Sequence, residues 1–145
     1  MNDKIKEILS KYKTIAMVGV SKDSNKTSTI VMKYMQKYGF KVIPVNPNAK
    51  GEKILGEEVF AKLEDIKTPV DIVDVFRPSV EAFGYAEETV KIGAKVLWLQ
   101  LGIRSSKAQE MLETKNIAYI ENRCTKMEYQ KIFLKINPAF PALQD

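Results

Sequence analysis

Apolar residues along the chain follow two rhythms. Short, partly β-branched runs stand apart: Thr14-Ile15-Ala16-Met17-Val18, Lys41-Val42-Ile43-Pro44-Val45, Asp71-Ile72-Val73-Asp74-Val75-Phe76, Lys95-Val96-Leu97-Trp98-Leu99 and Ile117-Ala118-Tyr119-Ile120. Runs of this length and composition predict strands buried on both faces. Between them, apolar positions recur at helical spacing. Ile30, Val31, Tyr34, Met35 and Tyr38 predict a helix over about residues 27–38, stopped by Gly39. Further helices are predicted from Ser79, as cap, to about Ile92, and from Ser105 or Ser106 to about Thr114. Ile5, Ile8, Leu9 and Tyr12 predict an N-terminal helix within residues 1–13. A last helical piece covers about residues 125–134, and residues 137–145 read as an extended tail. Residues 49–68 read as an irregular connection with one helical turn at residues 63–66.

Five strands alternating with helices specify an α/β fold, a doubly wound parallel five-stranded sheet with helices on both faces. Right-handed crossovers make 3-2-1-4-5 the expected strand order, with the switch point beside the first strand. Sheets of this kind bind ligands at the carboxyl ends of the strands, at that switch. Five loops meet there, residues 19–28, 46–50, 76–79, 100–104 and 122–124.

The first loop carries the clearest chemistry. Gly19-Val20-Ser21 breaks the strand, Lys22-Asp23-Ser24-Asn25-Lys26 is polar, and Thr27-Ser28 opens a helix that Asn25, Thr27 or Ser28 could cap. A helix start with free N–H groups favours an anion, and Lys22 and Lys26 add positive charge. The loop has one glycine where a dinucleotide fingerprint has three, and no Gly-Lys-Ser/Thr closes it as in a P-loop. Val45, Asn46 and Pro47 stand where an NAD site places an acidic residue for the ribose, which counts against NAD and leaves NADP open.

Composition narrows the function classes. A chain of 145 residues reads as a single domain, residues 1–145. No apolar run approaches the roughly 20 residues of a membrane span, and the N-terminus lacks a signal-peptide core, so the expected location is cytoplasmic. There is no histidine and one cysteine, which removes the commonest general base and metal ligand, phosphohistidine chemistry and an internal disulfide. The net charge of +5 suits a small polyanionic ligand. Lysines interleaved with glutamates along helices do not make a nucleic-acid surface. Arg77, Arg104 and Arg123 follow strands and join the lysines as candidate rim cations. Asp71 and Asp74 read as end-of-strand polar contacts, and Trp98, Met17, Met32 and Met35 as core. Cys124 is the one reactive candidate, beside Arg123 and a helix start that would both favour thiolate, against a plain reading as a small half-buried hydrophobe.

Five blocks in order carry a resemblance: residues 15–21, 42–47, 70–77, 93–102 and Asn122-Arg123-Cys124. Together they resemble the small stand-alone CoA-binding proteins of bacteria and archaea, over about residues 14–128, and are similar to the CoA-binding domain of the succinyl-CoA synthetase α subunit. The resemblance implies a Rossmann-like sheet with coenzyme A or an acyl-CoA over its carboxyl edge. Gly19, Val20, Ser21, Thr27 and Ser28 would hold the pyrophosphate, Asn46 and Pro47 would border the adenosine, and Phe76 and Arg77 would line the cleft. Lys22, Lys26 or Lys50 would meet the 3′-phosphate. The pantetheine arm would run past Gln100 toward the last two strands, with Cys124 near the thiol, matching the cysteine of the synthetase's Asn-Cys-Pro loop. Lys26-Thr27-Ser28 departs from the Arg-Pro-Ser common in the family, losing a bidentate grip and a rigid proline. The expected function is binding without catalysis, since a chain with no histidine cannot copy the synthetase reaction. A redox protein forming a Cys124–CoA mixed disulfide and a binder of another nucleotide such as NADP are the alternatives. Assembly as a homo-oligomer is left open.

Overall fold

The apolar runs become the strands of the computed structural model, which describes residues 1–141. In chain order the elements are α1 (Asn2–Lys11), β1 (Thr14–Val18), α2 (Thr27–Lys37), β2 (Lys41–Val45), β3 (Lys53–Ile54), β4 (Glu57–Glu58), β5 (Ile72–Val75), α3 (Ala82–Ile92), β6 (Val96–Leu99), α4 (Ser106–Glu113), β7 (Ala118–Ile120) and α5 (Thr125–Tyr129). The main sheet runs β2-β1-β5-β6-β7, parallel throughout. The chain moves outward from β1 to β2, then returns past β1 to β5, so the switch point lies between β1 and β5.

The expected order 3-2-1-4-5 holds by position, with one change of occupant. Phe60 makes a single parallel bridge to Val45 and takes the place outside β2. The strand carrying Asp74, read as third, is therefore the fourth and pairs with β1. Residues 49–68 are less irregular than expected: a 3-10 turn at Pro47–Ala49 leads into the antiparallel β3–β4 hairpin. Two-residue strands such as Lys53–Ile54 and Glu57–Glu58 are too short to show a period.

Both sheet faces are covered. Ile15 and Met17 of β1, Ile72 of β5 and Trp98 of β6 pack with Ile5, Ile8 and Leu9 of α1 and Val31, Met32 and Met35 of α2. Ala16 and Val18, with Val73, Val75, Leu97 and Leu99, pack with Ala82 and Ala86 of α3 and Ala108 and Leu112 of α4. Successive strand residues thus serve opposite faces, which is why the strands read as continuous apolar runs. Trp98 is fully buried, and its Nε1 donates to Arg123 O at 2.7 Å.

After α5, a π-helical turn at Gln130–Leu134 ends at Lys135, whose φ is +54°. The tail then returns toward the carboxyl edge. Residues 142–145 of the predicted tail lie outside the described residues. Among the described residues no helix is long and apolar enough to cross a membrane.

Candidate functional site

The turn after β1 is built on backbone proximity. Gly19 has φ +88°, donates to Val45 O at 2.9 Å, and a Cβ there would lie 2.8 Å from Phe76 O. Only glycine lets the β1 and β5 loops meet this closely. The loop is then pinned internally. Ser28 Oγ accepts from Ser21 N at 3.1 Å, and Thr29 Oγ1 donates to Ser21 O at 2.7 Å and Asp23 O at 3.0 Å. Ser28 therefore closes the turn instead of capping the helix, and Asn25 and Thr27 do not cap it either: α2 begins after Lys26 with no side-chain cap. Its first-turn N–H groups are left for an outside acceptor. Asn46 ties in the neighbouring loop, donating from Nδ2 to Val20 O at 2.9 Å while its Oδ1 accepts from Asn48 N at 2.9 Å.

Beside this turn, at the carboxyl edge, lies a cavity of about 350 Å³. It brings together Thr27, Phe76, Arg77, Gln100 and Cys124. Pro78, Leu101, Ile103, Phe140 and Pro141 complete its walls and were not singled out in the sequence. Gly19, Val20, Ser21, Lys22, Lys26, Ser28, Asn46 and Pro47 do not line it; they belong to the adjoining turn and the β2 loop. The signal missed was exposure: Leu101 and Phe140 are large apolar side chains, 41% and 60% exposed, in a loop and a tail. A cavity of similar volume at the opposite edge is walled by Lys4, Glu7, Lys95 and Glu113, and has no glycine turn.

The rim cations divide into two groups. Arg77 makes a forked pair with Glu81, Nη2 to Oε2 at 2.7 Å and Nε to Oε1 at 3.2 Å. Lys22 pairs with Glu52 at 3.2 Å, Arg104 with Glu121 at 3.1 Å and Arg123 with Glu128 at 3.3 Å. Among the described residues, the ammonium groups of Lys26 and Lys50 have no carboxylate partner. Ser79, expected to cap α3, instead accepts from Arg104 N at 3.0 Å and links the β5 and β6 loops, while α3 starts three residues later at Ala82. Ser105 does cap α4, accepting from Ala108 N at 3.1 Å.

The cavity floor is a buried polar knot. Gln100 Nε2 donates to Asp74 Oδ1 at 2.7 Å and to Thr125 Oγ1 at 3.1 Å, and Thr125 Oγ1 donates to Asp74 Oδ2 at 3.3 Å. Asp71 is the end-of-strand contact expected, accepting from Lys13 N and Thr14 N, but Asp74 is not: it is fully buried. Burial pushes its carboxyl up to about 7, against the opposing hydrogen bonds from Gln100 and Thr125. Of the two readings of Cys124, a thiolate and a small half-buried hydrophobe, the structure favours the second. Cys124 stands at the start of α5 as foreseen, and backbone hydrogen bonds from Met127 and Lys126 lower its pKa. Burial outweighs them, Asp74 adds to the rise, and the thiol is pushed up to about 11. The Arg123 guanidinium that was to assist is directed to Glu128.

Over 125 residues the chain is 41% identical to the uncharacterized protein YneT of Bacillus subtilis, covering 86% of this chain and 91% of that one. It is 24% identical over 143 residues to the acetate–CoA ligase (ADP-forming) of Methanocaldococcus jannaschii, covering 90% of this chain but only 20% of that much longer protein. The solved structure of cell-free ID.343 from Thermus thermophilus superimposes with a TM-score of 0.87 at 36% identity, covering 92% of this chain and 99% of that one. Residues 13–130 match the family described as CoA binding domain, and the chain belongs to that family.

Proposed function

We propose that the protein binds coenzyme A or an acyl-CoA at the carboxyl edge of the sheet and performs no chemistry on it. One observation carries the reading: a largely apolar cavity directly adjoins an uncapped helix start and a glycine turn that leaves no room for a side chain. These residues fit the two halves of the ligand. The Gly19-Val20-Ser21 turn gives the pyrophosphate room, and the first-turn N–H groups at Thr27 and Ser28, with the positive end of α2, offer it donors. Lys26 and Lys50, which make no ion pair among the described residues, supply charge for the 3′-phosphate. Phe76, Arg77, Gln100 and Cys124 receive the pantetheine arm, and Asn46 and Pro47 border the adenosine.

The protonation states support binding without catalysis. The buried Cys124 stays a thiol at neutral pH, and Asp74 points its oxygens into hydrogen bonds with Gln100 and Thr125. A thermal-shift titration with CoA, acetyl-CoA, dephospho-CoA, NADP and ATP tests the reading on protein stripped of ligand. Ligand at about 100 times Kd raises stability by roughly 2.7 kcal/mol. A rise with CoA, smaller with dephospho-CoA and absent with NADP, is expected. A flat response to CoA and acetyl-CoA removes the proposed ligand.

A further inference from the structure

The tail is tied to the cleft by buried side chains. Ala139 N donates to Gln130 Oε1 at 2.9 Å, and Ala139 O accepts from Lys126 Nζ at 3.0 Å. Lys126 is 1% exposed and Gln130 6% exposed. Burying an ammonium group is costly unless hydrogen bonds compensate it, so this anchor fixes the tail's course. Just beyond it, Phe140 and Pro141 line the same cavity as Arg77, Gln100 and Cys124. Pro141 is buried, whereas Phe140 keeps 60% of its surface exposed. The anchored backbone thus holds an uncovered aromatic ring at the rim of the cavity. The family match ends at residue 130, so this contribution comes from outside the matched domain.

We propose that residues 137–141 are a strap belonging to the ligand site, with Phe140 and Pro141 closing over the pantetheine arm. This rests on the CoA reading above. The arm carries a gem-dimethyl group and two amides, which suits apolar walls with Gln100 and Thr27 between them. The nucleotide half would lie at the Gly19 turn and the start of α2, where Thr27 alone shares the cavity with the strap. The strap therefore discriminates between CoA and its nucleotide fragment, and it gains buried apolar area only when the arm is present. Calorimetric titration of the full chain, Phe140→Ala and Gln130→Leu with CoA and with adenosine 3′,5′-bisphosphate tests this. Phe140→Ala removes the ring, whose exposure makes it dispensable for folding. Gln130→Leu removes the acceptor that holds Ala139. Both variants are expected to bind CoA about ten-fold more weakly while the bisphosphate affinity stays unchanged. Unchanged CoA affinity, tighter CoA binding, or equal losses for both ligands would overturn the strap and leave the CoA site standing. If the unmodified protein binds neither ligand, the CoA reading itself fails, and the strap with it.

Discussion

Gln100 Nε2 donates a 2.7 Å hydrogen bond to Asp74 Oδ1 between two strands that lie side by side, and neither residue is more than 3% exposed. The pair sits where β5 and β6 end below the cavity, and Thr125 completes it from the first turn of α5. A carboxyl group here joins the sheet to the helix behind Cys124, so its protonation state bears on the stability of the whole site.

Burial raises the Asp74 carboxyl from an ordinary 3.8 to about 7. Between those values the folded state holds a proton that the unfolded state has released. Its stabilising contribution is complete below the lower value and is lost as pH rises through the upper one. One such proton accounts for at most about 1.4 kcal/mol per pH unit. Asp74→Asn keeps the geometry, with its carbonyl accepting from Gln100 and its amide donating to Thr125. Urea unfolding from pH 4 to 8 is expected to show stability falling with pH in the unmodified protein relative to Asp74→Asn. Parallel pH profiles for the two would mean that Asp74 is ionised throughout.

Gly19→Ala puts a methyl group 2.8 Å from Phe76 O at φ +88°. Gly39→Ala meets a similar φ of +92° with nothing within 4 Å. Conformational strain alone is worth about 1–2 kcal/mol. Gly39→Ala is expected to lose that amount in urea unfolding, and Gly19→Ala more, because the Phe76 carbonyl must move. Equal losses would show that the two loops do not need their close approach.

Lys26→Gln removes an exposed ammonium group that makes no ion pair among the described residues, so stability is expected to stay within about 0.5 kcal/mol. A hydrogen bond to a charged group contributes about 1.5–3 kcal/mol, so CoA affinity measured by calorimetry is expected to fall about ten-fold or more. The dependence of binding on salt should also weaken. Full affinity in Lys26→Gln would direct the 3′-phosphate to Lys50.

The Cys124 thiol, pushed up to about 11, is expected to resist iodoacetamide at pH 7 in the folded protein and to react readily in urea. Two pKa units alone slow alkylation roughly 100-fold through the smaller thiolate fraction, and burial slows it further. Rapid stoichiometric labelling of the native chain would contradict this and revive a mixed disulfide with CoA.

The layers of the fold, and the edge where the cavity lies, follow from local pattern in the chain. Apolar runs such as Ile15 to Val18 are continuous because both sheet faces are covered, and that pattern is local. Gly19 was legible as a break, and Thr27, Phe76, Arg77, Gln100 and Cys124 were legible as residues following strands or opening a helix. What they share is position along one element, which needs no knowledge of partners. Tertiary structure decided everything that depends on a distant neighbour. Phe60 took the place outside β2 through one bridge, which no periodicity announces. Ser28 turned to Ser21, and Ser79 to Arg104 N, because nearby donors outbid the helix ends. Cys124 and Asp74 have the pKa values they do because elements far apart in the chain exclude water around them. Phe140 lines the cavity at the end of a tail that the buried Lys126 and Gln130 hold at Ala139, and that distance in space is not written in the order of residues.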